Sequence, residues 1–403
     1  MRYRPFLLVF LWISFSGSGA FAQEGGAYSS GAFAQEGGAY SSGAYSSGAY
    51  SRFNEQAAKI AAGLDDNSLA AQVLLTGIDG KLGLAPAMVS LLERIPAGGI
   101  LLFRYNLDSS KADVKNLLLA AAGIVKDRAG IPPFMAVDHE GGLVHRFASV
   151  AERLPSAYSF WELAQKEDQA AALAKAETLY RRSAGEIRDL GITMVLGPVA
   201  EILDKDNSLF LETRSYGPDP DFTQAAAGVY IKSMDAAGIA CALKHFPGNG
   251  AADPHSGVSS LTAGKNTLDT MVKAFAGIIQ SLSPPLVMVS HVMVPALDNK
   301  RNASLSRPVI EGWLRGELGF GGIVLADDFS MGAITASGLA PAAAAVEALN
   351  AGADMIMVWP RDLAAVHASI LGALLDGRLS RARLAEAAAR VIAGKLRYGI
   401  VSE

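Results

Sequence analysis

Along most of the chain, short apolar runs alternate with longer stretches in which apolar residues return every three or four positions. Eight runs predict strands: VLLTGI (73–78), GGILLF (98–103), PFMAVD (133–138), TMVLGPV (193–199), IACALK (239–244), PLVMVSH (285–291), GIVLAD (322–327) and ADMIMV (353–358). Most are apolar at consecutive positions, the pattern of parallel strands covered on both faces. Between them the 3.6-residue period predicts helices over 111–127, 174–190, 221–237, 267–282, 308–318 and 341–351. Eight strands with interleaved helices predict an α/β fold, a single (β/α)8 barrel. An open doubly wound sheet is the alternative, but no G-x-G-x-x-G follows an early strand.

The first fifty residues break this pattern. Two arginines, an apolar run over 6–15 and Ala20-Phe21-Ala22 form the three parts of a secretory signal, expected to span 1–22. The run is too short to cross a membrane as a helix. GAFAQEGGAYSS then occurs twice without change, at 19–30 and 31–42, and is followed by GAYSS and GAYS. Gly, Ala and Ser give no amphipathic period, so 23–51 is expected to be a linker and 52–403 the folded domain. The expected product is exported, periplasmic or secreted.

With 403 residues and 50% hydrophobic content the chain can bury a large core. A net charge of −4 and no basic cluster beyond the N-terminus argue against nucleic acid as a partner. Cys241 is the single cysteine, which excludes an internal disulfide and a cysteine metal site.

Charge changes the picture at the strand ends. Asp138 and His139 end the third run, Lys244 and His245 the fifth, His291 the sixth, and Asp327 and Asp328 the seventh. Barrel active sites are assembled at C-terminal strand ends, and charges are rarely buried without partners. KHFPGNGAADPHSG (244–257) adds Asp253 and His255 one residue apart, after a Gly/Pro-rich turn.

In order, GGILLF, AVDHEGGLVHRF (136–147), GPVAEILDKDN (197–207), RSYGPDP (214–220), KHFPGNG (244–250), DPH (253–255), MVSHVMVPALD (288–298), ASLS (303–306) and GIVLADDFSMGAI (322–334) resemble glycoside hydrolase family 3, in its β-N-acetylglucosaminidase branch. The resemblance implies a retaining mechanism on terminal β-linked N-acetylglucosamine, with no cofactor and no metal. It implies Asp327 as nucleophile and His255, oriented by Asp253, as general acid/base. It implies Asp138, Arg146, Arg214, Lys244 and His245 as residues that hold the sugar, with Arg214 equally readable as a structural ion pair. Glu140 is expected to brace its loop, Asp328 to support the loop that follows it, and His291 either to line the pocket or to satisfy backbone groups.

Three positions depart from the family pattern: Ala326 replaces a Ser or Thr, Asn249 a His, and Pro254 a Ser. Larger members carry a second α/β sandwich domain, for which this chain is expected to be too short. Phosphate as acceptor in place of water, a sugar-binding barrel without turnover and a metal-dependent barrel hydrolase are the competing readings. The last normally carries H-x-H, which is absent.

Overall fold

The computed structural model describes residues 48–147 and 150–402, with side chains from Phe53 onward. The signal sequence expected at 1–22 and the linker up to residue 47 lie outside the described residues. The last four positions assigned to that linker belong instead to a helix, Gly48–Gly63. Its buried Phe53, Ala57 and Ala61 recur every four residues, and it packs on the C-terminal helix Arg381–Arg397.

All eight predicted strands are present: β1 (Leu74–Gly77), β2 (Gly99–Leu102), β3 (Phe134–Gly141), β4 (Met194–Val199), β5 (Ala240–Phe246), β6 (Leu286–Val289), β7 (Ile323–Ala326) and β8 (Met355–Val358). Each pairs in parallel with the next, and β8 returns to β1. That last pairing closes the barrel and excludes the open sheet.

Closure explains the consecutive apolar runs, because alternate residues go to two separate cores. Leu75, Leu101, Phe134, Ala136, Met194, Leu196, Ala240, Ala242, Leu286, Met288, Ile323, Leu325, Met355 and Met357 pack together inside the barrel. The residues between them, among them Ile100, Val137, Val195, Leu243, Val324 and Ile356, pack outward against the helices. One further step along the inward register of β3, β5, β7 and β8 reaches Asp138, Lys244, Asp327 and Trp359. The two-residue period therefore sets the site on top of the packed interior.

Helices cover the outside as the 3.6-residue period requires, with two differences. The helix expected over 267–282 is two, Lys265–Met271 and Lys273–Leu282, separated by the non-helical Val272 (φ −93°, ψ 9°). The stretch Pro308–Glu317 is a π-helix, wound wider than an α-helix; Leu318 N–H bonds to the Trp313 carbonyl five residues back. Among the described residues no helix is long and apolar enough to cross a membrane.

Candidate active site

β3 outruns its predicted end by three residues, and that extension builds one wall of the site. Gly141 (φ 89°) and Gly142 (φ 52°) turn the chain back into Val144–His145, antiparallel to the end of β3. A Cβ on Gly141 would stand 2.3 Å from the Pro155 carbonyl, so the turn has no room for a side chain. The hairpin returns Arg146 to Asp138, with Nη2 3.2 Å from Oδ2.

A cavity of about 350 Å³ opens at the C-terminal ends of the strands. Leu101, Met288 and Met357 contribute apolar lining, with Phe103, Trp359, Phe210 and Met331 beside the polar groups. Asp138, Arg146, Arg214, Lys244, His245, His255 and Asp327 all line it. Asp253 touches it through His255. The eight residues expected to form the site are thus brought together.

Of the two readings of Arg214, the structural ion pair is the one present. Arg214 does not reach Asp138; it forms a two-pronged ion pair with Glu140, Nε to Oε2 at 2.7 Å and Nη2 to Oε1 at 2.9 Å. Glu140, expected to brace its loop, is a buried strand residue lining the cavity, because β3 continues through it. Lys244 joins both carboxylates, at 2.9 Å to Asp138 and 2.6 Å to Glu140.

Electrostatics follow from this pairing. Burial pushes the Glu140 carboxyl up, but Lys244 and Arg214 outweigh it and hold the group well below its ordinary value. Asp138 is likewise raised by burial and brought below normal by Lys244 and Arg146. Burial lowers Lys244, and the two carboxylates reverse this and leave it raised. All three stay charged at neutral pH, presenting oxygens and an ammonium suited to sugar hydroxyls.

Removing the central carboxylate is costly, because Arg214 would keep its burial and lose its ion-pair partner, and buried Lys244 would be left with Asp138 alone. Glu140→Gln is expected to lower stability at pH 7 by about 3–5 kcal/mol. Since the folded pKa lies below the ordinary 4.5, this stabilisation is complete above pH 4.5 and lost as pH falls through the folded value. Urea unfolding of both proteins at graded pH should give a gap that is widest above pH 5 and narrows in strong acid. A gap independent of pH would contradict the assignment.

Glu201 carries no signal in its own stretch, GPVAEILDKDN, that marks it for a role. It is buried just past β4, accepts from His245 Nδ1 at 2.6 Å and takes both Asn249 amide contacts, at 3.0 and 3.2 Å. This fixes the His245 ring and leaves Nε2 toward Arg214 at 3.5 Å. Asn249, one of the departures from the family pattern, therefore supports His245 through Glu201. Ala326 packs in the outer core, away from the cavity.

The two acids after β7 are clearly separated. Asp328 accepts from Ser330 N–H at 2.8 Å, Ser330 Oγ at 2.7 Å and Trp359 Nε1 at 2.7 Å, so its carboxylate holds the loop and the indole. Asp327 accepts from the Asp328 N–H on Oδ1, and among the described residues no donor is placed on Oδ2. His291 is fully buried, bonded to Ser304 Oγ and donating to the Asp328 carbonyl; it supports that turn and does not line the cavity. His139 is buried on Ser183, with its pKa pushed down to about 3 by burial and the neighbouring His145.

His255 stands on an exposed turn. Its Nδ1 lies 2.7 Å from Asp253 Oδ1, which also accepts the His255 backbone N–H. Burial raises Asp253, but the His255 N–H and ring together outweigh it, bring it below normal and keep it an anion. Phe210 lies beside His255, ring centres 6.2 Å apart, and under the Arg214 guanidinium at 5.4 Å.

The model of the glycosyl hydrolase family 3 N-terminal domain matches residues 75–393. The chain is 32% identical to a beta-hexosaminidase of Stenotrophomonas maltophilia over 77% of its own length and 92% of that protein. It is 27% identical to Beta-hexosaminidase A of Pseudoalteromonas piscicida over 76% of its length, and spans about half, 54%, of that protein. A solved family 3 beta-N-acetylglucosaminidase of Paenibacillus sp. superposes with a TM-score of 0.78 at 29% identity, over 85% of this chain and 64% of the other.

Proposed function

This chain belongs to glycosyl hydrolase family 3, and on that premise we propose that it is a retaining exo-β-N-acetylglucosaminidase working through a covalent glycosyl-enzyme. The observation that carries the reading is the pair of acids after β7: Asp328 is bound by three donors, while Asp327 keeps a free oxygen at the cavity. A carboxylate so placed can attack an anomeric carbon.

In the first step Asp327 bonds to the anomeric carbon as the glycosidic bond breaks, and His255 gives its Nε2 proton to the departing oxygen. In the second, His255 takes a proton from water, water attacks the same carbon, and Asp327 leaves. Nδ1 bound to Asp253 leaves Nε2 as the atom that exchanges protons. Asp138, Lys244, Arg146 and His245 grip the hydroxyls of the terminal sugar, with Glu140, Arg214 and Glu201 fixing their directions.

Peptidoglycan fragments and chitin-type oligosaccharides both offer the required terminal sugar. The Arg-apolar-Ala pattern of residues 1–22 supports export, which would place the enzyme where either occurs.

The test is hydrolysis of 4-nitrophenyl β-N-acetylglucosaminide followed by NMR, with and without phosphate. A β-configured free sugar formed first, at a rate unaffected by phosphate, is expected. An α-configured first product would overturn retention. A sugar phosphate would make phosphate the acceptor, and no turnover of any β-glycoside would favour the binding barrel.

A further inference from the structure

The turn that carries His255 is seated on another part of the active site. Asp253–Ser256 is closed on itself by Ser256 N–H to the Asp253 carbonyl at 3.1 Å and by the Asp253 side chain on the His255 N–H. Its two outward carbonyls accept from the segment after β7: His255 O from Gly332 N–H at 2.9 Å, and Pro254 O from Ala333 N–H at 3.0 Å. The receiving side is fixed. Buried Asn302 donates to the Ala333 carbonyl at 3.1 Å, and Met331 N–H bonds to Asp328 O at 3.1 Å. The side chains of Asp253 and His255 are by contrast more than half exposed.

Gly332 is where this contact depends on a residue type. A Cβ there would stand 2.7 Å from the His255 carbonyl oxygen and 2.8 Å from the Ser256 carbonyl carbon, both backbone atoms. Neither can turn aside as a side chain would, so the whole turn would have to move. Gly332 is five positions after Asp327 and directly follows the turn 328–331, in which Ser330 binds the Asp328 carboxylate twice. One short rigid segment therefore bears on both reacting groups.

We propose that Gly332 is a positioning residue for proton transfer: its missing side chain and its N–H seat the His255 turn at a fixed place relative to Asp327. This rests on the reading of His255 as the general acid/base. Moving the turn displaces the imidazole from the leaving oxygen without touching Asp327 or the sugar-holding residues. The loss should fall on substrates that need a proton to leave.

Gly332→Ala is compared with wild type, His255→Ala and Gly257→Ala by kcat/KM over aryl β-N-acetylglucosaminides of graded leaving-group pKa. Gly257 belongs to the same loop, and a Cβ there meets nothing within 4 Å. Acid help is worth about 10²–10⁴-fold, so a displaced acid should cost about 10–100-fold for poor leaving groups and little for the best. Gly257→Ala should follow wild type. A Gly332→Ala line parallel to wild type, beside a steeper His255→Ala line, overturns this proposal alone. Should His255→Ala also run parallel, the acid/base reading itself fails.

Amide exchange in the wild-type protein tests the contact whatever the folding of the variant. Residues 332 and 333 open a helical turn, where N–H groups have no partner within the helix. Slow exchange at Gly332 and Ala333 is expected, and exchange at the rate of open solvent overturns the docking.

Discussion

Asp327→Ala should leave an enzyme about 10⁴-fold or more slower on every aryl β-N-acetylglucosaminide, a barrier higher by at least about 5 kcal/mol. The loss should not depend on the leaving group, because the variant lacks the oxygen proposed to bond to the anomeric carbon. The contrast with its neighbour sharpens the test. Asp328→Asn removes an anion that three donors share, so its first effect should be on the fold, about 1–3 kcal/mol, with Trp359 loosened and the chemistry retained. A fluorinated sugar that stalls the glycosyl-enzyme should add its mass to the peptide at Asp327. Label at Asp328, or an Asp328→Asn rate as low as that of Asp327→Ala, would reverse the assignment.

That distinction shows what kind of information the sequence carries. The order of the two acids came from the resemblance, and parity agrees with it, since β7 alternates inward and outward and Asp327 continues the Ile323, Leu325 series. The same parity places Asp138 above Ala136 and Lys244 above Ala242. A parallel sheet covered on both faces was legible in the same runs, whereas closure rested on the count of eight strands and is seen in the β8–β1 pairing.

Pairing was not legible. Nothing in RSYGPDP says that Arg214 meets Glu140, because the two are 74 positions apart and meet only once β3 runs past its apolar stretch. The apolar run stops at Asp138, so Glu140 is expected in a loop, whereas β3 continues to Gly141. Glu201 stayed hidden because its partners, His245 and Asn249, lie on the next strand and the loop beyond it. Parity does reach Trp359, two positions beyond Met357, but its tie to Asp328 is a three-dimensional fact. The break at Val272 has no marker, since Val continues an apolar helical face well enough.

The Asp253–His255 pair gives the second large effect, and its size should depend on the substrate. Nitrophenolates with low pKa depart almost unaided, so His255→Ala should form their glycosyl-enzyme at nearly the wild-type rate. A sugar alkoxide cannot leave at neutral pH without a proton, and for natural disaccharides the loss should approach about 10³–10⁴-fold. The second step should slow as well, because water also loses its base, so glycosyl-enzyme should accumulate with good leaving groups and appear as a burst. Asp253→Ala should show the same pattern in weaker form. It keeps the imidazole but removes the anion 2.7 Å from Nδ1 that orients the ring. Pre-steady-state release of nitrophenol measures the burst, and kcat/KM across the leaving-group series measures the slope. A His255→Ala slope no steeper than wild type, with no burst, would mean that the proton comes from elsewhere. The turn at 253–256 would then be a cover over the cavity and nothing more.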